Sequence, residues 1–289
     1  MVKLGTVCTG ILLFLFAGGC AEKEWNDERL LRFDVVHPAQ SRVTATAFES
    51  GDRVGIYMRK QEYPWEVSGN FVNNEPIVYE NDTWTTGKLI FWEEGVFDVV
   101  GYYPYLEEMN NVTDIPFSVA LDQSTEGEGE ELGGYEASDF LWAGKEGVGM
   151  EDGVVRLTFA HRMSRLVVRL VPTEDYEGEI PEDAIVKIHS TVPKATIDLT
   201  AGVVTKDPYG AENVIKARKE GERVYTAIVV PQRLDYTVPL LEVVAGGISY
   251  IYDMRFVFKS GVQHTVTAYL SRNPEQIKIE IGGDIEGWN

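Results

Sequence analysis

The sequence predicts an all-β protein built from sandwich domains. Segments in which apolar and polar residues alternate with a period of two recur along the chain, and Gly, Pro, Asn and Asp residues separate them. Segments with helical periodicity do not extend beyond a few turns. Many short strands joined by turns are typical of β-sandwiches. Because the chain has 289 residues and a domain averages about 150, we expect roughly two domains.

The clearest strands are the segments in which one apolar face can be followed over three or more alternate positions. In chain order, these faces are Val54/Ile56/Met58, Ala195/Ile197/Leu199, Tyr225/Ala227/Val229, Tyr250/Tyr252/Met254/Phe256/Phe258, Val266/Ala268/Leu270 and Ile277/Ile279/Ile281.

Residues 157–171 show where the chain passes between domains. The apolar residues lie at odd positions from 157 to 163 and at even positions from 166 to 170. A one-residue slip turns every side chain to the other face, so this segment requires a bulge or a change of sheet. We interpret it as the passage from a first domain, residues 43–160, to a second, residues 161–289. An ordinary bulge within one sheet is the alternative.

Charge and cysteine content exclude several classes of function. The chain has 46 Asp and Glu against 26 Lys and Arg, a net charge of −20, which disfavours binding to nucleic acid and to anionic lipid surfaces. Its two cysteines, Cys8 and Cys20, are too few for a disulfide framework or a thiolate metal site.

The first nineteen residues have the features of a secretion signal. Lys3 supplies a positive charge, residues 10–17 are apolar but too short to span a bilayer, and small residues lead to Cys20. This resembles a bacterial lipoprotein signal in which Cys20 receives the lipid. The alternative is an ordinary signal peptide with an incidental cysteine.

No catalytic, metal or cofactor site is predicted. Nucleophile-elbow, phosphate-loop and zinc-protease motifs are missing, and the four histidines lack ligand spacing. We expect His161 to be a hydrogen-bonded core residue. The acidic, Gly-rich residues 118–139 read as a long exposed loop without the spacing of an EF-hand calcium site. A glycoside hydrolase would need only two carboxylates, but no segment marks such a pair.

Aromatic residues are frequent in the first half of the chain. They could fill the core and the strand edges, or they could form a platform on which sugars stack. We favour core filling for this set, which comprises Trp84, Trp92, Tyr102, Tyr103, Tyr105 and Trp142.

An ordered set of sequence strings resembles one protein family, the fimbrillins of Bacteroidetes and specifically the Mfa-like fimbrillins. The resemblance covers residues 41–289 and rests on FESGDRVGIYM (48–58), FDVVGYYPY (97–105), LDQS with SDFLWA (121–143), VRLTFAHRMSRLVVRL (155–170), ATIDLTAG (195–202), YTAIVVPQ (225–232) and GGDIEGWN (282–289).

The resemblance implies a fold and a mechanism. The fold would be two tandem transthyretin-like β-sandwiches, carried as a lipoprotein to the outer membrane surface. An arginine-specific protease would then remove an N-terminal segment together with its first strand. A strand of a neighbouring subunit would fill the opened groove, and the resulting fimbria would mediate adhesion.

Residues 20–42 fit the removable segment of that mechanism. They form the lipidated tether and contain residues 31–36 (LRFDVV), a short apolar strand candidate. Arg29, Arg32 and Arg42 are candidate cleavage sites, and a cut after Arg42 would remove the strand whole. The alternative is that these arginines are ordinary surface charges.

The C-terminal strand is the candidate donor. Ile277, Ile279 and Ile281 offer the alternate side chains that strand addition requires. A permanent edge strand of the second domain is the alternative. We therefore expect a non-enzymatic structural or tip subunit of a fimbria, whose partners are other subunits and an unidentified surface ligand. A surface glycan-binding lipoprotein is the rival hypothesis.

Overall fold

The computed structural model describes residues 28–38, 48–129, 131–274, 278–282 and 286–287. These residues form twenty-one strands and two short 3₁₀ helices, and no α-helix occurs among them. The prediction of an all-β protein is thereby confirmed.

Nine strands precede residue 162. They are β1 (Arg32–Val36), β2 (Arg53–Lys60), β3 (Val72–Glu80), β4 (Thr83–Thr86), β5 (Phe97–Tyr103), β6 (Ile115–Ser118), β7 (Leu141–Val148), β8 (Val154–Thr158) and β9 (Ala160–His161), with the 3₁₀ helices at Glu136–Ser138 and Met150–Asp152.

Twelve strands follow. They are β10 (Ser164–Pro172), β11 (Ile185–Thr191), β12 (Lys194–Asp198), β13 (Val203–Lys206), β14 (Asn213–Lys216), β15 (Arg218–Gly221), β16 (Val224–Val229), β17 (Gln232–Ala245), β18 (Ile248–Phe258), β19 (Val262–Leu270), β20 (Lys278–Ile281) and β21 (Glu286–Gly287).

Two sheets build the first half of the molecule. One has six strands in the order β4-β3-β2-β5-β7-β9, and the other is the parallel pair β1-β8. Strand β2 is buried on both faces. Ile56 belongs to the core shared with β1 and β8, whereas Tyr57 belongs to a second core shared with the rest of the molecule. The predicted apolar face of β2 is correct, but its opposite face is equally buried.

Two further sheets share the large core of the second half. Their orders are β14-β11-β17-β18 and β15-β16-β10-β19-β20, with β21 also on β19. Strand β18 alternates regularly between exposed and buried residues from Tyr250 to Phe258, as its sequence predicts.

The two halves are joined by strand pairing and by one tryptophan. Strand β6 pairs with β12 in the sheet β13-β12-β6. The Trp142 indole N–H donates to the Leu199 carbonyl at 2.6 Å, and Gly202 lies directly against the indole ring.

Strands β8, β9 and β10 belong to three different sheets, so the chain changes sheet across residues 157–171. The division into domains at residue 160 stays a prediction.

The acidic segment after β6 is only partly exposed. Its middle residues, 125–129, are exposed, but Gln123, Tyr135 and Asp139 are buried. The prediction of an exposed loop is wrong for these ends. They are anchored because Gln123 bonds the Ile228 backbone twice, at 2.8 Å each, and Tyr135 lies under the Arg218 guanidinium.

The six aromatic residues considered for a sugar platform fill the cores instead. Trp92, Tyr102 and Tyr103 are buried, and the other three are partly buried against the two cores. His161 is also buried, with Nδ1 3.0 Å from Asp139 Oδ1. Core filling and a hydrogen-bonded core histidine are therefore confirmed.

Candidate functional site

Strand β1 occupies a groove at the edge of the first-half core. Leu31, Phe33 and Val35 point into it and are only 3%, 7% and 6% exposed, whereas Arg32 is exposed and Asp34 is half-buried. The predicted apolar strand over residues 31–36 is thus confirmed. The alternation arises because successive side chains of a strand point to opposite faces.

Backbone hydrogen bonds hold β1 from two sides. It runs parallel to β8, with Phe33 opposite Val155 and Val35 opposite Leu157. On the N-terminal side, the Leu31 N–H donates to the Ile90 carbonyl at 2.8 Å. Residues 29–31 and 90–92 therefore form a short antiparallel contact, while β1 itself runs parallel to β8.

Large apolar side chains form the floor of the groove. Val155, Leu157 and Phe159 of the β8 region lie there with Ile56 of β2. Gly101 of β5 makes room for them, because a Cβ at this position would come within 2.9 Å of the Phe159 ring and 3.0 Å of the Ile56 side chain. The sequence marks Gly101 only as part of an apolar strand and does not identify its neighbours.

An aromatic cluster closes the C-terminal end of the groove. The Trp84 indole N–H donates to the Val35 carbonyl at 3.1 Å. The His37 ring lies 4.9 Å from Phe48 and 5.9 Å from His161 between ring centroids. Burial lowers the pKa of His37 below its usual value, and the nearby His161 lowers it further.

Apolar burial, rather than charge, accounts for the stability of the seated strand. An ion pair joins Asp34 of β1 and Arg156 of β8 at 2.7 Å, but both side chains are substantially exposed, so it contributes little. Burying Leu31, Phe33 and Val35 contributes about 1.5–3 kcal/mol each, roughly 5–9 kcal/mol as an upper estimate. Loss of the strand would expose the floor to water.

The other sequence-predicted site residues lie elsewhere. Strand β20 pairs antiparallel with β19, with Ile279 opposite Ala268, and so occupies a sheet edge distinct from the groove. Ile279 packs partly against the large core, whereas Ile281 is 54% exposed. Cys20, Arg42 and Ile277 lie outside the described residues.

In the described part of the chain, no cluster of three or more His, Cys, Asp or Glu side chains could hold a metal ion. No helix there is long and apolar enough to cross a membrane.

The fold is shared with solved structures from Bacteroides. A candidate cell adhesion protein from Bacteroides uniformis ATCC 8492 matches with a TM-score of 0.69 and 21% identity, over 91% of this chain and 100% of its own. Another from Bacteroides ovatus ATCC 8483 matches with a TM-score of 0.68 and 20% identity, over 90% and 97%. A fimbrial protein from Bacteroides vulgatus ATCC 8482 has a TM-score of 0.54 and 13% identity, over 90% and 100%.

At these identities the similarity establishes the fold alone. A comparison with curated proteins gives no match. The family model described as fimbrillin-like matches residues 41–288, which is most of the sequence. The resemblance noted in the sequence is confirmed by this match, and the chain belongs to the fimbrillin-like family.

Proposed function

We propose that this protein is a fimbrial subunit that polymerises by strand exchange at the β1 groove. Removal of the N-terminal segment vacates the groove, and a strand of a neighbouring subunit takes the place of β1. The observation that carries the proposal is the seating of β1, a terminal strand whose three buried side chains fill an apolar groove. Membership of the fimbrillin-like family supports the same function.

The bounds of β1 favour Arg42 as the processing site. Cleavage after Arg32 would leave Phe33–Val36, and with it two of the three buried side chains, attached to the subunit. Cleavage after Arg42 would release the whole strand. We further propose that the precursor travels to the outer membrane surface as a lipoprotein attached through Cys20, and that its fold is two tandem transthyretin-like sandwiches.

The C-terminal strand is the proposed donor. Ile277, Ile279 and Ile281 have the same two-residue spacing as Leu31, Phe33 and Val35, so they can enter the same three positions of the groove. To donate, β20 must leave β19. Its short pairing of four residues and the exposure of Ile281 keep the cost of that step low.

Polymerisation of processed chains tests the proposal. We would purify the chain of residues 43–289, the full-length chain and a chain of residues 43–276, and examine them by size-exclusion chromatography and electron microscopy. The chain of residues 43–289 should form fibres. The full-length chain and the chain of residues 43–276 should stay monomeric, and each should keep the circular dichroism spectrum of a folded β protein. Fibres from the chain of residues 43–276 would exclude the C-terminal donor, whereas monomers from the chain of residues 43–289 would exclude groove opening as the trigger.

Adhesion is the proposed role of the assembled fibre. A subunit exported to the cell surface, without a metal-binding cluster in its described residues, suits a binding or structural role. Loss of attachment of cells that lack the intact gene, restored by the wild-type chain and not by the chain of residues 1–276, would support this role.

A further inference from the structure

A basic patch lies on the second half of the molecule, where residues 162–289 contain 18 Asp and Glu against 15 Lys and Arg. Arg233, Arg255 and Lys259 lie together with a single carboxylate, Asp235, which gives a local formal charge of 3 − 1 = +2 in a chain whose net charge is −20. Such a concentration of positive charge in an acidic protein attracts anions locally, although the molecule as a whole repels them.

The patch lines a half-open cavity of about 420 Å³ between the edge strands β18 and β20. A bulge in β17 lies beside it: the four-residue step from Leu234 to Val238 stands opposite only the two-residue step from Phe256 to Met254 of β18. The regular pairing before the bulge, with Arg233 opposite Val257 and Leu234 opposite Phe256, places the Arg233–Asp235 segment in the same cavity as Arg255.

Two of the cations are available to a ligand. Among the residues that the structure describes, neither Arg255 nor Lys259 has an acidic partner within 4.0 Å, and both are exposed residues that line the cavity. Arg233, in contrast, is paired with Asp235. The Arg255 guanidinium can therefore bind a carboxylate or sulfate through two parallel N–H bonds.

A buried histidine adds a neutral donor to the cavity. His264 is only 8% exposed, and its Nε2 accepts the Lys259 backbone N–H at 3.3 Å, so its proton lies on Nδ1. Burial, assisted by Lys259, lowers the pKa of His264 and keeps the ring neutral. Within the described chain no side chain or carbonyl accepts a hydrogen bond from Nδ1. Phe256, 5.2 Å away between ring centroids, fixes the ring orientation.

We propose that this cavity binds one acidic sugar residue through its carboxylate or sulfate group. The volume lies within the range of small-molecule sites and accommodates one sugar ring. Arg255 and Lys259 neutralise the anionic group, and the His264 N–H orients it. While β20 pairs with β19, as it does before donation, Leu234, Phe256 and Ile281 supply an apolar wall for the C–H face of the ring.

Titration of the full-length chain with defined sugars tests this inference. The probes are glucuronic acid, N-acetylglucosamine 6-sulfate and uncharged glucose, monitored by the amide resonances of the cavity residues in 150 mM NaCl. At least one acidic sugar should bind and glucose should not, and the acid that binds identifies the anionic group. Failure of both acids to bind would overturn the proposal.

Matched variants separate the cavity from net charge. The double variant Arg255→Ala/Lys259→Ala should weaken binding at least about tenfold, because both cations contact the anion. The control Arg169→Ala/Lys194→Ala changes the charge equally at exposed positions outside the cavity and should bind like wild type. Equal affinities of the two double variants would refute the site. So would binding of the acidic peptide STEGEGEELG (124–133) without either sugar, which would identify a second copy as the partner.

Discussion

Truncation of one groove side chain should release β1 without unfolding the rest of the protein. In Phe33→Ala, a side chain that is only 7% exposed is lost from a closely packed groove. Such changes cost about 3–5 kcal/mol. Because about 1.4 kcal/mol corresponds to a factor of ten, the fraction of molecules with β1 detached should rise by roughly two to three and a half orders of magnitude.

Native-state hydrogen exchange measures that fraction. The amides of Leu31 and Phe159 donate to the Ile90 and Val36 carbonyls, so both are protected only while β1 is seated. Their exchange should accelerate by the full factor, since local opening limits it. Ile228 lies in the second half of the molecule, where its amide donates to the Gln123 side chain. This amide should keep its wild-type exchange rate.

The neighbouring variant Asp34→Ala is the matched control. It removes only the exposed ion pair with Arg156, which is worth no more than about 1 kcal/mol, so exchange should change less than about fivefold. Equal acceleration at Leu31, Phe159 and Ile228 in Phe33→Ala would refute the reasoning, because β1 would then leave only with global unfolding. Similar rates in both variants would refute it as well.

Three other perturbations have defined outcomes. Because burial lowers the pKa of His37 from 6.5, protonation favours the detached strand; the protection factors of the β1 amides (the intrinsic exchange rate at each pH divided by the observed rate) should therefore decrease as the pH falls below about 6.5, and His37→Gln should reduce this dependence. Gln123→Ala leaves the buried N–H and C=O groups of Ile228 without their hydrogen-bond partner. It should lower the free energy of unfolding, measured by urea denaturation, by about 2–4 kcal/mol; a loss below about 1 kcal/mol would contradict this. Gly202→Ala should cost about 2 kcal/mol or more in the same assay, because φ is +63° and a Cβ would lie 2.4 Å from Trp142; wild-type stability would show that the turn relaxes freely.

The local alternation of apolar and polar residues was sufficient to predict the strands that bury only one face. The alternation from Tyr250 to Phe258 predicted β18, because its outer face contacts solvent and so retains polar residues. Strand β2 lies between two cores, so Gly55 and Tyr57 are as buried as Ile56. A single sequence does not indicate which strands receive a second covering layer.

Long-range pairing could not be predicted. Residues 31–36 read as a strand, but their parallel partner β8 is more than a hundred residues away, and nothing in residues 90–92 indicates a contact with Leu31. The basic cavity was also missed. Its cations come from separate strands, Arg233 from β17 and Arg255 from β18, and only the pairing of these two strands brings them together.

Intermolecular disulfide formation tests strand exchange most directly. The chain of residues 43–289 contains no cysteine, so two can be introduced without interference. If Ile279 takes the place of Phe33, it lies opposite Val155 of the next subunit. Oxidised fibres of Val155→Cys/Ile279→Cys should therefore give a ladder of covalent oligomers on a non-reducing denaturing gel. If the donor strand is seated two residues further along β8, the variant Leu157→Cys/Ile279→Cys should give the ladder instead.

Arg156→Cys/Ile279→Cys is the control, because Arg156 points to the opposite face of β8 from Val155. The account predicts a ladder for position 155 or 157 and monomers for position 156. Monomers for all three variants, or an equal ladder for position 156, would contradict the claim that the strand of one subunit fills the groove of the next.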